Sequence, residues 1–439
     1  MNAAEVLSRL GRHVLVDGYD FVLDLDASNG SYLVDSLTKT RYLDFFSFFS
    51  SAPLGMNHPA LREDREFLHE LARAAVHKPA NPDVYTVEYA TFVERFAAVL
   101  GDPALPRLFF IDGGTLAVEN ALKAAFDWKA RRAGLAEGDG SPPLVAMHLT
   151  GAFHGRSGYA LSMTNTDPRK TDLFPKFDWP RITAPVITFP DDVDDPTALR
   201  AREAAALAQA EAAFADPRWT VACFVAEVIQ GEGGDRHLSA EFLLAMQRLC
   251  HQADALFVVD EVQTGGGTTG TAWAYEQLGL EPDLVAFGKK TQVCGVMAGR
   301  RIDWVPDNVF RVSSRISSTW GGNLVDMVRA TRIFDVMERD QLIPAAAKLG
   351  DRLLLGLREI GVAYTDVISN VRGRGLLCAF DLPDPAGRDA VIDTLRTRCG
   401  VLVLPSGERS VRFRPPLTVS EEDIDRGLTA VADVLERYP

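Results

Sequence analysis

The chain has 439 residues, of which 47% are hydrophobic and 24% are charged, and its formal net charge is −14 at pH 7. That length suggests two domains, or one large domain with a smaller one attached. An acidic surface repels phosphate backbones, which argues against nucleic-acid binding. The N-terminus lacks the basic and apolar runs of a signal peptide, and no apolar stretch reaches the about 18 residues needed to span a bilayer. We therefore expect a cytoplasmic protein that contacts neither membrane nor nucleic acid.

The cysteines point to the same compartment. Their number is odd, and no two of them show the C-x-x-C spacing of a metal site: Cys223, Cys250, Cys294, Cys378 and Cys399. We expect five reduced thiols in a reducing compartment and no bound metal.

Short apolar runs of strand length alternate with helical patterns through the first two thirds of the chain. Most runs are apolar at consecutive positions, as in parallel strands buried on both faces: Leu108–Ile111, Leu144–Leu149, Val221–Ala226, Leu256–Val259 and Leu284–Phe287. Helical patterns such as Thr115–Lys129 and Ala240–Gln252 separate them, which predicts an α/β fold with a mostly parallel sheet flanked by helices. Such folds bind ligands beyond the carboxyl ends of their strands.

Both ends of the chain are expected to form a smaller α+β domain. After Asn323 the pattern is helical to about Ile360, and it then turns strand-like before a closing helix. The N-terminal segment contains a hairpin-like stretch and is expected to join this part. The predicted boundaries are residues 1–55 for the N-terminal segment, 56–325 for the large domain and 326–439 for the small domain. Residues 130–143 are predicted to form a surface loop.

The first candidate site is a buried strand that runs directly into an acidic residue, Asp260. Strand side chains alternate, so Asp260 and Val262 share a face. A carboxylate placed here can keep a pyridine nitrogen protonated, which makes the ring an electron sink. Val262 would then pack on the ring, and Gln263 would begin the following loop. The alternative is an aspartate that caps the next helix, and this segment alone does not decide between the two.

The next apolar strand ends in Gly288-Lys289-Lys290. A lysine at a strand end, in a partly dry pocket, is the usual nucleophile that forms a Schiff base. A solvated surface lysine is ordinarily the better interpretation, but the preceding strand with its aspartate reverses that preference. Lys290 is the competing nucleophile, although it lies further from the strand and is expected to face the other way.

Two further loops follow strands. Gly113-Gly114-Thr115 leads into a helix, and free N–H groups at a helix N-terminus favour a phosphate. An ordinary strand–helix turn is the alternative. In the second loop, Phe153 can stack on an aromatic ring and Arg156 can bind a carboxylate with two hydrogen bonds. Core packing and a surface salt bridge are the respective alternatives.

Together these segments resemble the class III (ω-) aminotransferases, enzymes of fold type I that depend on pyridoxal 5'-phosphate. The resemblance covers nearly the whole chain. Within that family the sequence is most similar to the bacterial lysine 6-aminotransferases, on the stretches 177–181, 231–237, 288–300 and 318–323. The chain departs from the family where it has Val228 in place of proline, and Thr268 in place of a frequent arginine.

The resemblance implies a role for each matching residue. The cofactor contacts would be Lys289 for the Schiff base, Asp260 for the pyridine nitrogen, Gln263 for the ring hydroxyl, Phe153 and Val262 for the ring faces, Gly114 and Thr115 for the phosphate, and Thr319 of the partner subunit for the same phosphate. Lys289 and Asp260 would be catalytic. Substrate carboxylates would bind Arg156 and Arg412, with Glu232 pairing with Arg412 and with Arg414 as the local competitor of Arg412. A homodimer with shared active sites is implied.

The reaction implied is transfer of the ε-amino group of L-lysine to 2-oxoglutarate, which gives L-glutamate and 2-aminoadipate 6-semialdehyde, an aldehyde that should cyclise. The alternatives within the family are aminotransferases for ornithine, 4-aminobutyrate or another ω-amine. A racemase, decarboxylase or aminomutase on the same fold remains a further alternative. A non-enzymatic binding protein would require a lost Schiff-base lysine, and Lys289 is present.

Overall fold

The structure, a computed structural model, describes residues 2–136, 138 and 140–438. Its strands are β1 (Tyr32–Val34), β2 (Arg41–Asp44), β3 (Arg107–Ile111), β4 (Leu144–Leu149), β5 (Arg181–Ile182), β6 (Thr220–Ala226), β7 (Ile229–Gln230), β8 (Arg236–His237), β9 (Leu256–Asp260), β10 (Leu284–Phe287), β11 (Cys294–Ala298), β12 (Ser369–Arg374), β13 (Leu377–Asp381), β14 (Val401–Leu402), β15 (Leu404–Ser406) and β16 (Ser410–Phe413).

The α-helices are α1 (Val6–Leu10), α2 (Ser47–Ser50), α3 (Pro59–Arg62), α4 (Arg65–Ala75), α5 (Val87–Val99), α6 (Gly114–Arg132), α7 (Gly158–Met163), α8 (Pro168–Thr171), α9 (Asp191–Asp194), α10 (Thr197–Ala215), α11 (Ala240–Gln252), α12 (Leu324–Arg339), α13 (Leu342–Ala363), α14 (Pro385–Thr394) and α15 (Glu421–Leu435). No helix within the described ranges is long and apolar enough to cross a bilayer.

The central sheet, over the described residues, has the strand order β3-β11-β10-β9-β6-β4-β5. The run from β10 to β5 is parallel, and only β11 runs antiparallel to its neighbours. The predicted mostly parallel sheet is therefore confirmed. Strands β4, β6, β9, β10 and β11 are almost wholly buried, which explains why they are apolar at consecutive positions. In this sheet Asp260 at the end of β9 is the register partner of Ala286 in β10, so Asp260 lies beside the segment that carries Lys289.

The two ends of the chain pair with each other. β1 and β2 form an antiparallel hairpin, and β2 pairs in parallel with β14 from the C-terminal part. A second antiparallel sheet has the order β12-β13-β16-β15. The N-terminal segment is thus hydrogen-bonded to the C-terminal part, while the domain boundaries at 55 and 325 stay a prediction.

Three local features differ from the sequence-based expectation. Helix α6 continues to Arg132, because Lys129 donates to the carbonyls of Ala253 and Asp254 and thereby fastens its last turn. The predicted loop at 130–143 therefore begins later, and residues 137 and 139 in it lie outside the described residues. Strand β11 was not predicted, since its short glycine-containing run becomes a strand only through pairing with both β3 and β10.

Candidate active site

A cavity of about 590 Å³ opens at the carboxyl ends of β9 and β10, where the fold class predicts a ligand. The lining residues come from loops that are far apart in the chain: Ser51, Gly114, Thr115, Phe153, His154, Gly155, Arg156, Glu227, Glu232, Asp260, Val262, Gln263, Lys289, Gln292 and Cys294. The cavity brings together most of the predicted site residues. Arg412 lies behind it against Glu232 and Gln263, and Thr319 is exposed elsewhere on the same chain.

The two adjacent lysines have different surroundings. Lys289 lines the cavity, and its backbone has a φ of +55°, a conformation that is costly for a residue with a side chain. Lys290 points away, is 3% exposed and donates from Nζ to the backbone carbonyl of Gln263 at 3.0 Å. Burial, reinforced by the nearby guanidinium groups of Arg412 and Arg414, lowers the pKa of Lys289 to about 8. A neutral, nucleophilic amine is therefore more accessible at Lys289 than at an ordinary surface lysine.

Asp260 is held by a histidine that the sequence-based analysis did not assign to the site. The Oδ2 of Asp260 lies 2.8 Å from Nδ1 of His154, and its Oδ1 accepts from the backbone N–H of Val262 at 3.0 Å. Burial disfavours protonation of His154, but the hydrogen bond and charge of Asp260 outweigh it and raise the His154 pKa. The hydrogen bond from His154 fixes the orientation of the Asp260 side chain, whose carboxylate can keep a pyridine nitrogen protonated.

The start of helix α6 forms a compact anion site. Gly113 precedes it with a φ of +98° and no side chain caps the helix, so its first N–H groups remain available to a ligand. The Oγ1 of Thr115 lies 2.9 Å from Oγ of Ser157. A Cβ atom on Gly155 would lie 2.1 Å from Oγ1 of Thr115, so only glycine permits this approach of the two loops.

Gln263 is oriented by two arginines. Its Oε1 accepts from Nη1 of Arg412 at 3.2 Å and from Nη2 of Arg414 at 3.1 Å. Because guanidinium groups only donate, the amide oxygen must face them, and the amide nitrogen is left as a donor on the other side. Arg414 is otherwise engaged by Asp235, a partner at 2.5 Å, and both of these side chains are 1% exposed. The two arginines therefore have different carboxylate partners: Arg412 pairs with Glu232 at the cavity, and Arg414 pairs with the buried Asp235.

Glu232 bridges two cations at the cavity wall. Its Oε2 accepts from Nη2 of Arg412 at 3.0 Å, and its Oε1 forms an ion pair with Nζ of Lys170. Burial opposes ionisation, but the positive charges of Arg412 and Lys170 lower the pKa of the Glu232 carboxyl. Glu232 is therefore a carboxylate in this arrangement, and it occupies Nη2 of Arg412, while Nη1 donates to the carbonyl of Gly231 and to Gln263.

Several residues at this site were not assigned from the sequence, and three of them are ionisable groups that contact the predicted site residues: His154, Glu227 and Lys170. Burial raises the pKa of Glu227 to about 7, and its carboxyl accepts from the backbone N–H groups of Phe153 and Gly231, both at 3.0 Å. Glu227 thereby ties the loop of Phe153 to the loop of Glu232. His154 and Glu227 follow predicted strands, which was an available signal, whereas Lys170 lies in the one-turn helix α8 without any such signal. The two departures from the family pattern, Val228 and Thr268, are buried and do not line the cavity.

The residues present fit pyridoxal 5'-phosphate. The uncapped start of α6 suits the phosphate, the Asp260–His154 pair suits the pyridine nitrogen, and Lys289 is placed for an aldehyde carbon. A Cβ atom on Gly114 would lie 2.8 Å from Cγ1 of Val262, so a side chain at position 114 would displace Val262 from the cavity wall.

The fold and this site define a class of enzyme. The sequence profile described as Aminotransferase class-III matches residues 16–435, and the chain belongs to that family of aminotransferases, which depend on pyridoxal 5'-phosphate. The chain is 60% identical to an L-lysine-epsilon aminotransferase of Streptomyces clavuligerus, over 98% of this chain and 94% of that protein. It superposes on the lysine aminotransferase from M. tuberculosis in its internal aldimine form with a TM-score of 0.96, at 57% identity and 100% coverage of both chains. A mitochondrial 4-aminobutyrate aminotransferase of Mus musculus is 30% identical over 99% of this chain and 89% of its own.

Proposed function

We propose that this enzyme transfers the ε-amino group of L-lysine to 2-oxoglutarate, giving 2-aminoadipate 6-semialdehyde and L-glutamate. The observation that carries the proposal is the ion pair between Arg412 and Glu232 beside Lys289, because it occupies one of the two carboxylate sites. A donor with its reacting amine at the end of an uncharged methylene chain needs only one carboxylate site. The high identity to L-lysine-epsilon aminotransferases supports lysine as that donor.

The cofactor, when bound, carries the amino group between the two half-reactions and withdraws electrons from the reacting carbon. Lys289 would hold the cofactor through its Nζ, and the same Nζ, when free, would accept a proton from the ε-carbon of lysine. Asp260, supported by His154, would keep the pyridine nitrogen protonated. Gln263 would approach the ring hydroxyl, and Phe153 and Val262 would cover the ring. Gly114 and Thr115 would hold the phosphate.

Two arginines bind the substrates, and each binds a different carboxylate group. Arg156 is exposed at the cavity and binds the carboxylate that is distant from the reacting amine in both substrates. Arg412 binds the α-carboxylate of glutamate or 2-oxoglutarate, and Glu232 neutralises it while lysine is bound. Without Glu232, a buried guanidinium would face an apolar methylene chain, which is costly.

An amine-donor panel with 2-oxoglutarate tests this function. We expect kcat/KM for L-lysine to exceed that for ornithine and 4-aminobutyrate by at least about tenfold, since pocket fit alone discriminates such analogues by that order. Glutamate should appear in equimolar amounts with the aldehyde product, which separates transamination from racemisation, decarboxylation and amino-group migration. A preference for 4-aminobutyrate or ornithine would assign the enzyme to another donor in the family.

Replacing Glu232 with alanine should impair the two half-reactions unequally. We expect the lysine half-reaction to slow by about tenfold and the glutamate half-reaction by less than about threefold, because only lysine leaves Arg412 without a carboxylate. Stopped-flow absorbance, with lysine or glutamate mixed separately, measures each step. Glu276, an exposed residue that does not line the cavity, offers a Glu→Ala control. Equal losses in both half-reactions would remove the support for this exchange of partners.

The active unit is proposed to be a homodimer in the cytoplasm, a location that suits the unpaired cysteines of the described chain. Thr319 does not line the cavity of its own chain, and its polar, glycine-rich turn at 317–322 suits anion binding. We expect a dimer in analytical ultracentrifugation, with the partner subunit's Thr319 at the phosphate.

Mixing inactive variants tests the shared site directly. Lys289→Ala and Thr319→Ala chains, each impaired alone, should regain activity after exchange of subunits, because one site of the mixed dimer then has both residues intact. A fully active monomer, or mixed dimers without recovery, would contradict the proposal.

A further inference from the structure

Lys170 is a second cation at the Glu232 carboxylate. Its Nζ forms an ion pair with Oε1 of Glu232, while Arg412 binds Oε2 at 3.0 Å. The same Nζ lies 5.6 Å from the ring centroid of Phe153, so the ammonium group stands over a residue that lines the cavity. Lys170 therefore contacts two residues that line the active-site cavity, Phe153 and Glu232, although the chemistry proposed above gives it no part.

The two cations differ in burial. The Arg412 side chain is 2% exposed, whereas the side chains of Lys170 and Glu232 are 26% and 27% exposed. Glu232 thus bridges an inner cation and an outer one. Because each carboxylate oxygen has its own partner, the carboxylate can leave Arg412 without leaving Lys170.

The second cation next to Glu232 affects the free energy of moving Glu232 away when Arg412 binds a substrate carboxylate. A carboxylate that leaves its only cation in a partly dry site loses its ion pair and regains little hydration. A second cation that is contacted in both positions removes most of that cost. The backbone at Glu232 is itself held, because Gly231 donates its N–H to Glu227 and the carbonyl of Glu232 accepts from the N–H of Gly407, so the movement is confined to the Glu232 side chain.

We propose that Lys170 is a positioning residue that retains Glu232 while Arg412 binds the α-carboxylate of glutamate or 2-oxoglutarate. The inference rests on the proposed function, since it concerns the exchange of partners at Arg412. Lys170 sets the equilibrium between the position of Glu232 that serves lysine and the position that serves the dicarboxylate. Removing Lys170 mainly disfavours the position of Glu232 that serves the dicarboxylate, because Glu232 has left Arg412 in that position and would have no other cation to pair with.

The expected result is the reverse of that for Glu232→Ala. Lys170→Met should slow the glutamate half-reaction by about five- to tenfold and change the lysine half-reaction by less than about twofold. Lys170→Arg, which keeps the charge, should restore most of the loss. Arg169→Met is the matched control, because it removes one positive charge from the neighbouring position, where the side chain is 91% exposed and pairs with Asp167.

Binding of glutarate gives a second readout that involves no turnover. This dicarboxylate has the carbon skeleton of 2-oxoglutarate without a reacting group, and its dissociation constant is measured by titrating the absorbance of the holoenzyme. Lys170→Met should weaken glutarate binding by the same five- to tenfold factor. In the Glu232→Ala background the Lys170→Met change should have no effect, because the carboxylate that Lys170 holds is gone.

Different failures have different meanings. If Lys170→Met weakens glutarate equally with and without Glu232, Lys170 binds the substrate itself and the inference is overturned. If Lys170→Met alters neither half-reaction while Glu232→Ala shows its expected asymmetry, this inference alone fails. If Glu232→Ala shows no asymmetry, the proposed exchange of partners fails, and the role of Lys170 fails with it.

Discussion

The Lys289→Ala variant is expected to lose at least about 1,000-fold in the rate of amino-group transfer, because the proposed mechanism gives this one residue both the attachment of the cofactor and the movement of the proton. Other lysines do not replace it: Lys290 is 3% exposed and its Nζ is bound to the carbonyl of Gln263. The variant should still bind pyridoxal 5'-phosphate without a covalent bond, since the start of α6 and Asp260 are unchanged. Steady-state rates and the absorbance of the protein before and after gel filtration in denaturant measure both effects.

Chemical trapping distinguishes the two neighbouring lysines. Borohydride reduction should fix the cofactor on the wild-type chain, and peptide fragmentation should place the added mass on Lys289. Lys290→Ala should keep the covalent attachment while lowering the midpoint of thermal unfolding, because it leaves a buried carbonyl without its donor. Normal turnover by Lys289→Ala, or mass found on Lys290, would show that the nucleophile has been assigned to the wrong residue.

The Asp260→Asn variant is expected to lose roughly 100- to 1,000-fold in kcat, the order found when one electrostatic contact to the reacting group is removed. Asparagine is nearly the same size and can still accept the N–H of Val262, but it carries no charge to keep the pyridine nitrogen protonated. The loss should appear in both half-reactions equally, since both need the same electron sink. Stopped-flow absorbance of each half-reaction measures it, and the cofactor content should stay near that of the wild type.

The matched control for Asp260→Asn is Asp283→Asn. Both aspartates are 5% exposed, but Asp283 precedes β10 at the opposite end of the strand and pairs with Arg301. Asp283→Asn should lower stability and leave the half-reactions of the folded enzyme nearly unchanged. A small effect of Asp260→Asn, or a loss confined to one half-reaction, would contradict the role given to this carboxylate.

The sequence was sufficient for those parts of the molecule that depend on local patterns. Runs that are apolar at consecutive positions predicted the parallel strands, because a strand buried on both faces leaves no place for a polar side chain. β4 and β10 have the predicted bounds. The carboxyl ends of β9 and β10 predicted where Asp260 and Lys289 would lie, because parallel strands end at one edge of the sheet. Family resemblance, and not pattern alone, added Glu232 and Arg412.

The side-chain partners within the site depend on contacts between distant segments, and only the tertiary structure shows them. His154 and Asp260 are 106 positions apart, and their hydrogen bond exists only because the strands before them belong to the same sheet. The difference between Lys289 and Lys290 depends on which carbonyl lies within reach of each side chain, and the difference between Arg412 and Arg414 depends on where Glu232 and Asp235 lie. Lys170 carries no local signal, since a lysine in a short helix contacts the site only when folding brings it to Glu232. The partners of these side chains depend on how the whole chain packs. The residue pattern of a single segment does not determine that packing.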